Sequence, residues 1–313
     1  MQKSTHLFNP GQNRWWIYQR ERFPILLHGL LILVFSLAAV GYGHVATGHQ
    51  GSPGAVAVLV SFIGSFITFA LLRIADEFKD YEDDARYRPY RAVPRGLVQL
   101  SELGMIGALL AALQLAVAFS FSAKLALLLL AVWVYFLLMS KEFFMPRWLK
   151  ARPVVYLFSH MLIMPLIALY ASAPGWIDNN EVPSGLSSLL ILTFFIGMVG
   201  ETGRKIRAPA DEETGVETYS KLWGRGRALG LWLILLLTAG VFALQAADNI
   251  GSIWPLAIGL SILFPVALIY ARRLMTSPQT RDSKAVELIS GVWVLIIYCG
   301  LVAITLGPDL KWS

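Results

Sequence analysis

The sequence predicts an all-α, polytopic membrane protein of nine transmembrane helices with its N-terminus on the cytoplasmic side. Three observations carry that prediction. Of 313 residues, 56% are apolar and only 15% are charged, against roughly 25% charged in soluble domains. Nine stretches are apolar over the roughly 20 residues that a helix needs to cross a hydrocarbon core. All but two of the 26 Lys and Arg residues fall where these nine crossings would place one face of the bilayer, as the excess of cations in cytoplasmic loops requires.

Taken in order, the first run, Ile25 to His44, follows an arm carrying Lys3, Arg14, Arg20 and Arg22, which marks the inside. It is too long and starts too late for a cleavable signal peptide, so it is expected to remain as a span. The second, Ala55 to Leu72, returns the chain to Arg73, Lys79, Arg86, Arg88, Arg91 and Arg95. The third and fourth, Leu103 to Phe121 and Ala123 to Met139, lead to Lys141, Arg147, Lys150 and Arg152. The fifth, Val154 to Ser172, and the sixth, Leu186 to Gly200, lead to Arg204, Lys205, Arg207, Lys221, Arg225 and Arg227. The seventh and eighth, Ala228 to Ala247 and Ile253 to Tyr270, lead to Arg272, Arg273, Arg281 and Lys284, and the ninth, Val286 to Leu306, leaves the C-terminus outside. Only Lys124 and Lys311 lie on the other side, and removing or adding one span would scatter the rest.

No long linker, low-complexity tract or fixed-period repeat interrupts the chain, so residues 1–313 are expected to form a single transmembrane domain. The net charge of +6 and pI near 9.4 are what this topology demands, so they give no reason to expect a nucleic-acid partner. The lone Cys299, inside the last span, excludes an intramolecular disulfide and a cysteine-based zinc site.

Two inner loops, Arg73 to Glu102 and Glu201 to Arg227, hold more than half of the 20 acidic residues. The first begins Asp76-Glu77-Phe-Lys79-Asp80-Tyr-Glu82-Asp83-Asp84, with no proline or glycine before Pro89. If the second helix runs on, Asp83, Asp76, Asp80, Asp84 and Glu77 share an arc of about 120° at 100° per residue. Like charges one turn apart repel, so such a face calls for a cation. Mg²⁺ prefers oxygen ligands and commonly joins one or two carboxylates to substrate phosphates. An ordinary acidic helix end, solvated and paired with the basic loop, is the plainer alternative. Arg86, Arg88, Arg91 and Arg95 follow, with forks suited either to phosphate oxygens or to lipid headgroups.

The second cluster places Glu201 and Lys205 one turn apart with Arg204 beside them. Pro209 ends that helix at or before Ala208, and Asp211, Glu212 and Glu213 follow in a loop. Acids beside cations suit a metal diphosphate better than a bare metal. A structural pair between Glu201 and Lys205 is the alternative.

Together these residues resemble the UbiA-type intramembrane prenyltransferases, over nearly the whole chain. That family has nine spans and an Asn-Asp-x-x-Asp-x-x-x-Asp signature after the second. Here Asp76-Glu-Phe-Lys-Asp80-Tyr-Glu-Asp-Asp84 stands there, followed by Arg88-Pro-Tyr-Arg-Ala-Val-Pro-Arg-Gly96 where some branches carry Arg-Pro-x-Arg-Pro-x-Pro-x-Gly. Glu201 to Gly224 is similar to the second signature. The chain departs from the pattern at Asp76, where the family has Asn, at Glu77, where it has Asp, and in the second signature. There Arg207 and Pro209, then Asp211 and Glu212, replace Asp-x-x-x-Asp. The resemblance implies a divergent member, cytoplasmic-facing in an inner membrane.

It also implies a Mg²⁺ cofactor and an isoprenoid diphosphate donor, with an aromatic or other lipophilic acceptor. Asp76, Glu77, Asp80 and Asp84 would hold one Mg²⁺, and Asp211, Glu212 and Glu201 a second. Asp76, Asp80, Asp84 and Lys205 would act in catalysis, and Arg88, Arg91, Lys141, Arg204 and Lys205 would bind the diphosphate. Trp133, Tyr135, Phe136 or Tyr156 could face an allylic cation, or simply anchor and pack. His28 and His160 are intramembrane ionisable groups that more often serve structure. A membrane terpene cyclase would share the metal sites without an acceptor. A transporter would want acids deep inside spans, and none lies there. The Asp-Gly-x-x-Ala-Arg pattern associated with phosphatidyl-alcohol transferases is absent.

Overall fold

The computed structural model describes residues 13–179 and 181–306; Lys3 and Lys311 of the cation pattern lie outside the described residues. Among those described, regular structure is helical throughout. The α-helices in chain order are α1 (Arg14–Arg22), α2 (Ile25–Ala46), α3 (Ala55–Lys79), α4 (Tyr81–Tyr87), α5 (Leu100–Phe121), α6 (Ala123–Ser140) and α7 (Pro146–Lys150). They continue as α8 (Pro153–Met161), α9 (Ile163–Ser172), α10 (Leu186–Arg204), α11 (Tyr219–Trp223), α12 (Arg225–Asn249), α13 (Trp254–Thr276) and α14 (Thr280–Leu306). Among the described residues nine helical stretches are long and apolar enough to cross a membrane, and each of the nine expected spans has its counterpart.

The fifth span is one stretch, Pro153–Gly175, made of α8, α9 and a short 3₁₀ turn. Its break at Leu162 has a covalent cause. Pro165 has no N–H to offer the Met161 carbonyl and its ring crowds that position, which favours a break one turn before it.

The packing order places α10 inside, against α9, α12 and α14, while α2 packs on α3, α9 and α14. Helices α5, α6 and α13 are the least enclosed, and they present Phe119, Leu127 and Ile262 outward. Large apolar side chains exposed in this way suit lipid rather than water. Association between helices in lipid relies on close packing and buried hydrogen bonds. Gln114 of α5 supplies one such joint. Its amide donates to the Gly64 carbonyl at 2.8 Å and to Thr68 Oγ1 at 2.7 Å, both on α3, and its carbonyl accepts from Trp133 Nε1 of α6 at 3.1 Å. Trp133 is thereby a structural donor, one of the two roles its sequence position allowed.

Replacing Gln114 with Ala would leave the Trp133 indole N–H of α6 without this acceptor and would remove the bonds from α5 to Gly64 and Thr68 of α3. We expect it to lower stability against detergent or thermal unfolding by about 1–2 kcal/mol. An unchanged unfolding midpoint would show that the joint carries no weight.

Candidate active site

Helix α3 does not run on to Asp84. It ends at Lys79, Asp80 takes φ −95° and ψ 5°, and α4 starts at Tyr81. The ladder is still bridged, by Asp80 N–H to the Asp76 carbonyl at 2.9 Å and Asp84 N–H to the Asp80 carbonyl at 2.8 Å. Glu82, Asp83 and Asp84 fill the first turn of α4, where the helix dipole favours negative charge. The expected five-carboxylate face is therefore divided by this break.

Two of its members are buried and neutralised by arginine. Glu77 accepts a hydrogen bond from Arg22 Nε of α1. Asp84 receives Arg88 at 2.8 Å and Arg91 at 2.6 Å, with Arg22 at 4.0 Å. Arg88 and Arg91, expected at a diphosphate, thus serve Asp84 here. Asp83 points away, exposed and 3.9 Å from Lys150. Asp76 keeps 44% of its side chain exposed, 3.6 Å from Arg73. Asp80 is half-buried, and burial, with Asp76 and Asp84 nearby, pushes its carboxyl above the ordinary carboxylate range.

The second cluster sits at the end of α10. Glu201 accepts from Arg204 Nε at 2.6 Å and lies 2.9 Å from Lys205 Nζ, so the expected helical contact forms. The acids after Pro209 do something else. Asp211 accepts from Thr280 Oγ1 at 2.8 Å and Ser283 Oγ at 2.6 Å, tying its loop to the start of α14. Glu212 accepts from Thr218 Oγ1 at 2.7 Å and lies 3.7 Å from Lys221. Glu201, Asp211 and Glu212 are thus engaged separately, and they do not gather into the second metal site that the resemblance implied. Among the described residues no group of three His, Cys, Asp or Glu is arranged to hold a metal. What fits Mg²⁺ is smaller: Asp76 and Asp80, one turn apart, offer the one or two carboxylates that a Mg²⁺-phosphate complex commonly uses.

The loops bring the two ends together. Tyr90 donates to Glu213 at 2.8 Å, and Gly215, at φ +75°, lies against the Tyr87 ring. Closer to the bilayer, Asp76 is within electrostatic reach of Arg204 and His160. A cavity of about 110 Å³ lies between α8 and the second loop, lined among others by Lys150, Tyr156, Lys205 and Tyr219. Lys205 Nζ stands 5.5 Å over the Tyr219 ring, and burial, with Glu201 nearby, pushes the Tyr219 phenol up. A larger groove of about 420 Å³ runs beneath α1, but Trp15, Trp16, Phe23, Phe66 and Leu103 make it mainly apolar, Arg73 is the cation in its wall and no carboxylate among the described residues lines it. The smaller cavity has the cations that a diphosphate needs.

Other expected residues have quieter places. Lys141 ends α6 and is exposed. His28 Nδ1 lies 3.1 Å from the Pro24 carbonyl and its ring stacks on Phe23. Tyr135 hydrogen-bonds the Ser159 carbonyl. The sequence reading missed Arg22 and Glu142. Glu142 is 6% exposed and lies in a turn where Glu142, Phe143 and Phe144 have φ of 48°, 51° and 59°. Left-handed backbone at three successive non-glycine residues costs on the order of 1–3 kcal/mol each.

A Cβ at position 215 would come within 2.2 Å of the Tyr87 ring. Gly215→Ala should therefore destabilise the meeting of the two loops by about 1–3 kcal/mol. Limited proteolysis between residues 205 and 225 reports this directly, and cleavage no faster than in the wild type would contradict it.

The chain matches the model of the UbiA prenyltransferase family over residues 22–306. No curated protein matches it closely in sequence. Its fold is similar to that of a digeranylgeranylglyceryl phosphate synthase, at 15% identity and TM-score 0.63, covering 95% of this chain and all of that one. It is also similar to a UbiA homologue from Aeropyrum pernix K1, at 14% identity and TM-score 0.61, covering 85% of this chain and 97% of that one. A UbiA homologue from Archaeoglobus fulgidus bound to DMAPP and Mg²⁺ is similar at 16% identity and TM-score 0.54, covering 91% and 98%. Nine helical stretches able to cross a membrane among the described residues, and a family match over residues 22–306, lead to one conclusion: the chain is an integral membrane protein that belongs to the UbiA prenyltransferase family.

Proposed function

We propose that the protein is a Mg²⁺-dependent intramembrane prenyltransferase that ionises an isoprenoid diphosphate and transfers the prenyl chain to an aromatic or other lipophilic acceptor. The observation that carries this reading is that the segment after α3 meets the loop after α10, through Tyr90 on Glu213 and Tyr87 on Gly215, with Asp76 within electrostatic reach of Arg204. Carboxylates for a metal and cations for an anion meet there beside an apolar bundle. Relatives of the same fold bound to DMAPP or GPP with Mg²⁺ support it.

Asp76 and Asp80 would hold Mg²⁺, which when bound neutralises charge on the diphosphate. Lys205 and Lys150, in the cavity wall, would bind diphosphate oxygens, and Arg204, held by Glu201 beside Lys205, would add to the positive charge there. As the allylic C–O bond breaks, its electron pair leaves with the diphosphate, and fixed cations in a poorly solvated site favour that departure. The prenyl cation is then attacked by the acceptor, which loses a proton. Glu77, Asp84, Arg88 and Arg91 would support the site by fixing the end of α3, and Asp211 and Glu212 by fixing the second loop. Tyr156 and Tyr219 already present their faces to Lys79 and Lys205, so we assign them to holding those cations. From the cation distribution we read this end as cytoplasmic, and we read residues 1–313 as one transmembrane domain.

Purified protein incubated with Mg²⁺ and geranyl, farnesyl or geranylgeranyl diphosphate should release diphosphate and form a prenylated product only when a phenolic or other lipophilic acceptor is supplied. Asp80→Ala, or chelation of the metal, should cut release by about 100-fold or more with the bundle still folded. Acceptor-independent release of a cyclic hydrocarbon would instead assign a terpene cyclase, and wild-type turnover by Asp80→Ala would remove Asp80 from the site.

A further inference from the structure

Lys79 stands inside the acidic signature, between Asp76 and Asp80, and the proposed mechanism gives it no contact with substrate. Its ammonium donates to Tyr156 Oη at 3.0 Å and lies 4.0 Å from Glu142 Oε1. Tyr156 Oη in turn donates to the same carboxylate oxygen at 3.3 Å. The three groups close a triangle. Glu142 Oε2 is buried and accepts no hydrogen bond from the described residues.

The strained turn is built against this triangle. His160 stacks on the Tyr156 ring at 3.9 Å and 11°, and Phe143 meets His160 edge-on at 6.2 Å. Two of the three left-handed residues, Glu142 and Phe143, therefore grip Tyr156 and His160 from one side. Unfavourable backbone persists only where the surroundings over-determine it, and such places cluster at ligand sites. Tyr156 forms part of the cavity wall together with Lys205 and Tyr219.

An ammonium has three donors. One is used by Tyr156 and one is directed at Glu142, which leaves a third. We propose that Glu142 is a positioning residue that, with Tyr156 of the cavity wall, fixes the Lys79 ammonium behind that wall, and that the remaining donor of Lys79 binds the diphosphate. Lys79 then supplies a permanent cation on the metal-holding side of the site. This inference rests on the diphosphate reading above and adds to it a ligand contact and the residue that sets it.

A double-mutant cycle on the full-length protein in detergent tests it, with Kd for inorganic pyrophosphate plus Mg²⁺ measured by calorimetry and KM and kcat measured for geranylgeranyl diphosphate. Lys79→Met should weaken pyrophosphate binding about tenfold, the worth of one charge-assisted contact, and should raise KM. Glu142→Gln should do the same to a smaller extent in the wild type and nothing further in the Lys79→Met background. Tyr156→Phe, which keeps the ring, serves where Glu142→Gln lowers the unfolding temperature, and should follow the same non-additive pattern. Additive losses, or wild-type affinity in Lys79→Met, would overturn the proposal while leaving the diphosphate reading in place. Absence of pyrophosphate binding in the wild type would overturn both.

Discussion

Two carboxylates carried out of water at the end of α3 and the start of α4 set the terms for the rest of this site. Glu77 and Asp84 are each 2% exposed, and a charge so placed persists only when it is paired. The cations come from two directions. Arg22 reaches them from α1, which draws the N-terminal helix onto the end of α3. Arg88 and Arg91 fold back from the segment that follows, which fixes the turn-rich stretch up to Gly96. Five charged side chains are thereby committed to structure, which leaves Asp76 and Asp80 of the acidic signature for the proposed metal.

The opposite end divides its labour in the same way. Asp211 and Glu212 are held by hydroxyls of Thr280, Ser283 and Thr218, so they fasten the loop between α10 and α11. Glu201 holds Arg204 and also Lys205, which lines the cavity. Under the proposed function, one helix end contributes metal ligands and the other contributes cations. A departing diphosphate is stabilised by both, more strongly here than in water because the surroundings are poorly polarisable. The placement of Lys79 fits this economy, since it adds positive charge on the side where the acids dominate.

The nine spans were legible because each is a long apolar run and the cations sort the loops by side. The pattern Asp76, Asp80 and Asp84 was legible as spacing, and the Glu201–Lys205 contact followed from one helical turn. The break at Asp80 was not, since neither proline nor glycine marks it. Arg22 meets Glu77 across 55 residues, and no local pattern encodes such a pairing. Asp211 looked like a metal ligand because its partners on α14 lie about 70 residues away. The turn at Glu142 is hidden for another reason: Glu-Phe-Phe contains no residue that favours positive φ. Its conformation is imposed by packing against Tyr135 and His160.

The most direct test is a structure of the protein with Mg²⁺ and a non-hydrolysable thiodiphosphate analogue of an isoprenoid donor. The diphosphate should lie between Asp76 and Asp80 on one side and Arg204 and Lys205 on the other, with its chain directed into the bundle. A diphosphate bound away from both helix ends, or seated in the apolar groove beneath α1, would contradict the account.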